Sequence, residues 1–295
     1  NLTTYFKDFE NFLKLERNLS KNTIQSYRSD LKKFEVFLLK TNVKELKYIN
    51  PEIVREFLYE QSKKVTGKTQ GRIISTLRSF YNFLVLEKIA ENNPIEDIDY
   101  PKIDSKVPFV LSTNEIDKII LQASLTKFGA RNQTMIEVMY SCGLRVSEVI
   151  EMKISNIFFD ESLIKVMGKG KKERFVPLSG IAKKLLYNYI EFERKESKFD
   201  EQSVDIVFLN NRGGKLSRIM VYNIINDAAL AAEITSKISP HTLRHSFATH
   251  LIENGADIIS IQKMMGHENI VTTEKYLNVN KKHLVETVIK YHPRK

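Results

Sequence analysis

Residues 163–176 run Leu163-Ile164-Lys165-Val166-Met167-Gly168-Lys169-Gly170-Lys171-Lys172-Glu173-Arg174-Phe175-Val176. The runs Leu163 to Val166 and Arg174 to Val176 flank a turn-like Gly168-Lys169-Gly170, which predicts a small β-hairpin. Outward from it the pattern is helical. Met135 to Met139, Leu185 to Glu193 and Val221 to Leu230 suit helices. Ser112-Thr113-Asn114-Glu115 is a capping-box sequence, and Ser239-Pro240 is a reasonable start for a helix through His245. The second part of the chain is therefore expected to be mostly helical with a minor antiparallel sheet.

The first part predicts four helices. Tyr5, Phe6, Phe9, Phe12 and Leu13 recur at helical spacing, as do Ile24, Tyr27, Leu31, Phe34 and Phe37 after the N-cap candidate Ser20. Asn50-Pro51 looks like a cap and first helical residue ahead of Ile53, Val54, Phe57 and Leu58, and a fourth stripe joins Ile73, Leu77, Phe80, Tyr81 and Leu84. These aromatics read as core. From Asn92 to Pro108 the periodicity lapses around Pro94, Pro101 and Pro108. The expected organisation is a helical domain over 1–92, a linker over 93–108 and a second domain over 109–295.

With 295 residues, 42% of them hydrophobic and 28% charged, the chain has the composition of a globular protein. No apolar run approaches the roughly 20 residues of a membrane span. The start, through Lys7, Asp8, Glu10, Lys14, Glu16 and Arg17, is too charged for a signal-peptide core, although Asn1 stands where an initiator methionine would. No membrane anchor and a cytoplasmic location are expected. Cys142, the single cysteine, excludes an intramolecular disulfide and a thiolate-rich metal site. Forty-six Lys and Arg against 36 Asp and Glu leave a net charge of +10, which favours a polyanionic partner such as nucleic acid. Lys63, Lys64, Lys68, Arg72 and Arg78 lie in one acid-free stretch and are the candidate phosphate contacts, a solvated basic face being the alternative.

Four segments carry the residues suited to chemistry. They are Gly143-Leu144-Arg145-Val146-Ser147-Glu148, Gly168 to Arg174, His241-Thr242-Leu243-Arg244-His245, and Gly266-His267 with Thr273-Glu274-Lys275-Tyr276. Each has a plain explanation alone: an Arg145–Glu148 pair on a helix surface, a solvated hairpin tip, a helix end at Gly266, a half-buried tyrosine. Their order and spacing together say more, because His241 and Arg244, three apart, present an imidazole and a guanidinium from one helical face. A histidine metal site from His241, His245, His250 and His267 lacks obvious clustered Asp or Cys companions, and no Gly-x-Ser-x-Gly elbow suggests a hydrolase.

On these motifs the chain resembles the tyrosine recombinases of the phage-integrase family, and its two-part layout is most similar to Xer-type members. The resemblance spans Arg145 to Tyr276 and extends to the helical front segment, which is similar to the family's core-binding domain. Leu277-Asn278 departs from the usual histidine-containing continuation. The resemblance implies that Arg145, Lys169, His241, Arg244 and His267 surround a DNA phosphate, with Tyr276 as nucleophile and Glu148 behind Arg145. It implies a covalent 3'-phosphotyrosine, reversed by a 5' hydroxyl, with no cofactor and no metal. A non-catalytic DNA-binding protein and a type IB topoisomerase-like relaxing enzyme remain as alternatives.

Two guanidiniums suit the charge that builds on the non-bridging oxygens, and a titratable lysine suits protonation of the departing 5' oxygen. Lys171 and Lys172 rival Lys169 for that role, and His241 is the general base by analogy. The expected partners are double-stranded DNA, further copies in a tetramer or a paralogous recombinase, and an accessory regulator. The length argues against a large added arm-binding domain. Chromosome dimer resolution and element mobility both fit, and the target sequence is not legible. Leu284, Val285, Val288 and Ile289 form an apolar stripe near the end, expected to dock on its own domain or on a neighbouring protomer.

Overall fold

Short polar side chains start the helices of the first unit by replacing missing backbone partners. Ser20, Asn50 and Thr66 accept hydrogen bonds from the backbone N–H groups of Thr23, Ile53 and Thr69. They open α2 (Lys21–Lys40), α3 (Pro51–Ser62) and α4 (Gly67–Leu86), which follow α1 (Leu2–Leu15). The computed structural model describes residues 2–101, 109–168, 173–266 and 277–294, apart from Glu16, Asn18, Asn42 and Lys44, with the backbone alone for Leu2, Thr3, Leu15 and 277–280. The chain divides into two compact units, 1–106 and 107–295.

One side chain from each helix of the first unit, Phe9, Phe34, Phe57 and Phe80, has no exposure at all. Ring pairs such as Phe34–Phe57 at 5.0 Å and Phe9–Phe80 at 5.3 Å knit them together. The aromatic stripes are core, as expected, with Tyr5, Phe6, Phe12 and Tyr27 half-buried around them. The stretch after Asn92 is irregular but not free. Ile95 and Ile98 are buried in the same core, and Arg78 donates to both their carbonyls. Pro94 and Pro101 deny this stretch a helix, yet two apolar side chains and one guanidinium suffice to fasten it. Residues 102–108 lie outside the described residues.

In the second unit Ser112 and Glu115 form the expected reciprocal cap, at 3.2 and 2.8 Å, ahead of α5 (Thr113–Ser124). The central α6 (Gly129–Ser141) is buried along nearly its whole length. α7 (Val146–Ile150) follows, then the antiparallel sheet β1 (Ile157–Phe158), β2 (Leu163–Met167) and β3 (Glu173–Pro177) in that spatial order. Ile164 pairs with Val176 and Val166 with Arg174, so the hairpin of the sequence is present with a third, two-residue strand added. α8 (Gly180–Tyr189) continues through one wider π-helical turn, Ile190–Arg194. α9 (Arg218–Ala231), α10 (Pro240–Glu253), α11 (Ile258–Met265) and α12 (Leu277–Tyr291) complete the chain. Among the described residues no helix is long and apolar enough to cross a membrane.

Of the two dockings open to the terminal stripe, the structure has the one on its own unit. Leu284 and Val288 of α12 are buried in the core, and Ile289 is exposed. Beyond the helix, His292 is fully buried between Tyr140 and Phe247 at ring distances of 5.0 and 5.4 Å. Arg294 pairs with Asp117 and, at 3.5 Å, with the buried Glu137. Removing residues 283–295 therefore opens the core. We expect this truncation to lower the unfolding free energy of the second unit by at least about 3 kcal/mol in urea titrations, from the Leu and Val side chains alone. Wild-type stability would show that the segment is not part of the core.

Candidate active site

A tight turn leads from α6 to Arg145. Gly143 sits there with φ of +57°, and the Phe247 ring of α10 lies where its Cβ would be, so glycine meets both demands. Arg145 is the N-cap of α7, and its backbone N–H donates to Glu148 Oε2 at 2.7 Å. The sequence alternative of a surface ion pair does not hold, because the Glu148 side chain is 2% exposed. Arg145 Nη1 donates to Glu148 Oε1 at 3.0 Å. From β3, Arg174 completes the shell with Nη1 to Oε1 at 2.6 Å and Nη2 to Oε2 at 3.0 Å. Arg244 of α10 approaches Oε2 to 3.9 Å.

The same three guanidiniums take the last carbonyls of α11. Arg174 Nε donates to Met264 O at 2.8 Å, Arg244 to Met265 O, and Arg145 Nη2 to Gly266 O at 3.2 Å. These orphan acceptors lie at the negative end of the helix dipole, where cations belong. Gly266 ends α11 in the left-handed conformation, with φ of 67°, and a Cβ there would come 3.2 Å from the Arg174 guanidinium.

Burial pushes the Glu148 carboxyl up, but the hydrogen bonds and charge of Arg174, the Arg145 N–H and the Arg145 charge outweigh it and hold it below the usual 4.5. Burial, with the neighbouring Arg145 and Arg174 charges, pushes Arg244 down to about 10, which leaves it protonated at neutral pH. Arg145 and Arg244 line an open cleft of about 490 Å³ together with His241, His245, Phe109 and Met265. His241, in the first turn of α10, is exposed, while His250 on the same helix is buried against Tyr140, with Nδ1 2.8 Å from the hydroxyl. Lys169, Lys171, Lys172, His267 and Tyr276 lie outside the described residues.

In the first unit the basic stretch divides. Lys63, Lys64 and Lys68 are exposed, and the Lys63 ammonium lies 4.2 Å from the centre of the Tyr59 ring. Arg72 is tied to Asp30, which has no exposure and also accepts from Thr76 at 3.0 Å. Arg78 is spent on Ile95, Ile98 and Tyr100. Both arginines serve the fold of their own unit. The residue missed by the sequence reading is Arg174. The available signal was its place two residues before Val176, which puts a guanidinium on the same face of the predicted strand as an apolar side chain.

Family comparison agrees with this architecture. Residues 110–283 match the phage integrase family and residues 6–88 match the phage integrase N-terminal SAM-like domain. The chain is 39% identical over 295 residues to tyrosine recombinase XerD of Staphylococcus saprophyticus, covering 99% of this chain and 100% of that one. Among solved structures it is similar to the XerA recombinase, with 30% identity, a TM-score of 0.51 and full coverage of both chains. The fold also matches XerH site-specific recombinase bound to its difH substrate, with a TM-score of 0.68 at 24% identity over 93% of this chain and 83% of that one. The chain belongs to the phage integrase family, as a Xer-like tyrosine recombinase.

Because its folded pKa is depressed, Glu148 contributes stability above the unfolded value of 4.5, and this is lost as pH falls through the folded pKa. Melting curves from pH 7 to pH 3 are expected to show E148Q less stable at neutrality and flatter than wild type below pH 4.5. Parallel curves would mean that the carboxylate does not titrate with folding. Arg72→Met is expected to cost the first unit about 1–3 kcal/mol, read by urea unfolding, because it takes the guanidinium from the buried Asp30 and leaves it Thr76 and, at 3.8 Å, Lys33. An unchanged midpoint would return Arg72 to the surface.

Proposed function

We propose that this protein cleaves and rejoins DNA strands at specific sites through a covalent 3'-phosphotyrosyl intermediate. The observation that carries the reading is the meeting of Arg145, Arg244 and His241 on one cleft, in a chain whose relatives are tyrosine recombinases. Two forked guanidiniums bind the scissile phosphate and stabilise the charge that grows on its non-bridging oxygens as a fifth oxygen approaches phosphorus. Tyr276 supplies that oxygen. Its phenolic proton, with an ordinary pKa of about 10, passes to His241 as the bond to phosphorus forms. His267 donates to a phosphate oxygen, and Lys169 protonates the departing 5' oxygen, with Lys171 and Lys172 as rivals. The products are a 3'-phosphotyrosine and a free 5' hydroxyl. A 5' hydroxyl from another strand reverses the step and frees the tyrosine, so the energy of the broken bond is kept.

The basic first unit contributes contacts to DNA phosphates through Lys63, Lys64 and Lys68, which are exposed, whereas Arg72 and Arg78 are half-buried and already engaged by Asp30 and by the Ile95 and Ile98 carbonyls. Such contacts position without reading sequence. The protein acts in the cytoplasm as a tetramer on DNA, made of its own copies or shared with a paralogous recombinase and governed by an accessory regulator. Chromosome dimer resolution during segregation and integration or excision of a mobile element are the two biological tasks that this chemistry serves.

A nicked suicide substrate tests the chemistry. Wild type is expected to trap a covalent adduct, and Tyr276→Phe to trap none while binding the same site. Adduct formation by the Phe variant would remove Tyr276 as nucleophile, and a wild type without adduct would leave only a DNA binder. Neutralising Lys63, Lys64 and Lys68 should flatten the slope of log affinity against log salt by up to about one unit per lost contact. An unchanged slope would make them a solvated face.

A further inference from the structure

Arg174 is not among the residues that line the cleft and its side chain is 13% exposed, yet it makes three hydrogen bonds, two to Glu148 and one to Met264 O. Its two terminal nitrogens each meet one oxygen of Glu148, and those oxygens are the ones that receive Arg145 Nη1 and the Arg145 backbone N–H. Its Nε holds Met264 O, next to the carbonyls that receive Arg244 and Arg145. We propose that Arg174 is a positioning residue for strand cleavage: it fixes the Glu148 carboxylate that aims Arg145, and it ties the end of α11 to β3. This rests on the reading that Arg145 and Arg244 clamp the scissile phosphate.

The geometry makes the dependence specific. A carboxylate gripped at both oxygens by a planar fork cannot rotate, so the opposing donors of Arg145 are fixed in direction as well as distance. With the fork gone, Glu148 keeps its bonds to Arg145 and the longer 3.9 Å approach of Arg244 to one oxygen, a set that no longer fixes the plane of the carboxylate. The α11 end has the same dependence, because Gly266 leaves room for the Arg174 guanidinium at 3.2 Å and precedes in sequence the segment that carries His267 and Tyr276. Lysine supplies charge but a single point of donation, so it cannot grip both carboxylate oxygens and Met264 O together. Misdirecting a catalytic group costs rate at the reacting phosphate more than it costs binding along the duplex.

The test is single-turnover cleavage of a nicked suicide substrate at saturating protein by wild type, R174A, R174K, E148Q and the E148Q/R174A pair, with site affinity and melting temperature measured for each. Wild-type adduct formation comes first, and its absence would overturn the functional reading and this proposal together. Given wild-type cleavage, R174A is expected to lose about 100-fold in the cleavage rate constant, with site affinity changed by no more than about threefold. R174K is expected to recover less than about tenfold of that loss, because the fork is missing. The pair is expected to cleave within about threefold of the slower single variant, since both act through one carboxylate. Wild-type cleavage by R174A, full rescue by lysine, or loss of rate and affinity in equal measure would each overturn the proposal. If R174A does not fold, R174K decides alone: folded and slow supports the assignment, whereas folded and fast, or unfolded, overturns it.

Discussion

Glu148 carries its charge with a side chain 2% exposed, a position that burial alone would not permit. Leaving such a carboxylate unpaired costs several kcal/mol, so the site cannot form without the arginines around it. The arginines depend on the carboxylate in turn. Three guanidiniums converging from α7, β3 and α10 repel one another, and burial and this repulsion together lower the pKa of Arg244. One anion and three carbonyl dipoles at the end of α11 offset that repulsion. Elements that are distant in sequence are locked to one another by this cluster, and few substitutions within it can be neutral.

The cluster leaves its working face outward. Arg145 retains 32% side-chain exposure, and His241 stands open at the first turn of α10, while the opposite sides of both arginines are fixed by internal bonds. Rigid support behind and an accessible cation in front is the arrangement that preorganised electrostatic stabilisation requires, because the donors need not reorganise as charge develops. An exposed pair of arginines on flexible stems would bind a phosphate but would hold its transition state less well.

The first unit distributes its basic residues by the same logic at lower cost. Arginine, with five donors, serves where several carbonyls or a buried carboxylate must be satisfied at once, as Arg78 and Arg72 do. Lys63, Lys64 and Lys68 remain at the surface, where their charge stays hydrated. A run of positive charge in sequence thus conceals two populations, one bound within its own unit and one exposed.

The sequence alone determined the elements whose signals are local. Helix caps at Ser20, Asn50 and Ser112 are set by neighbours three residues away, the aromatic stripes by helical period, and the hairpin of 163–176 by two runs and a glycine turn. The cluster of Arg145, His241 and Arg244 was legible as a set because their types and order are specific, although nothing in the chain near Arg145 says that Glu148 is buried. Tertiary structure decided what depends on residues remote in sequence. It made Glu148 the meeting point of three arginines, recruited Arg174 from a strand 26 residues away, turned Arg72 inward to Asp30 across 42 residues, and laid Leu284, Val288 and His292 into their own core. The physical reason is that a charge's partner and an apolar side chain's cover are chosen by packing, and packing is a property of the folded chain rather than of any window along it.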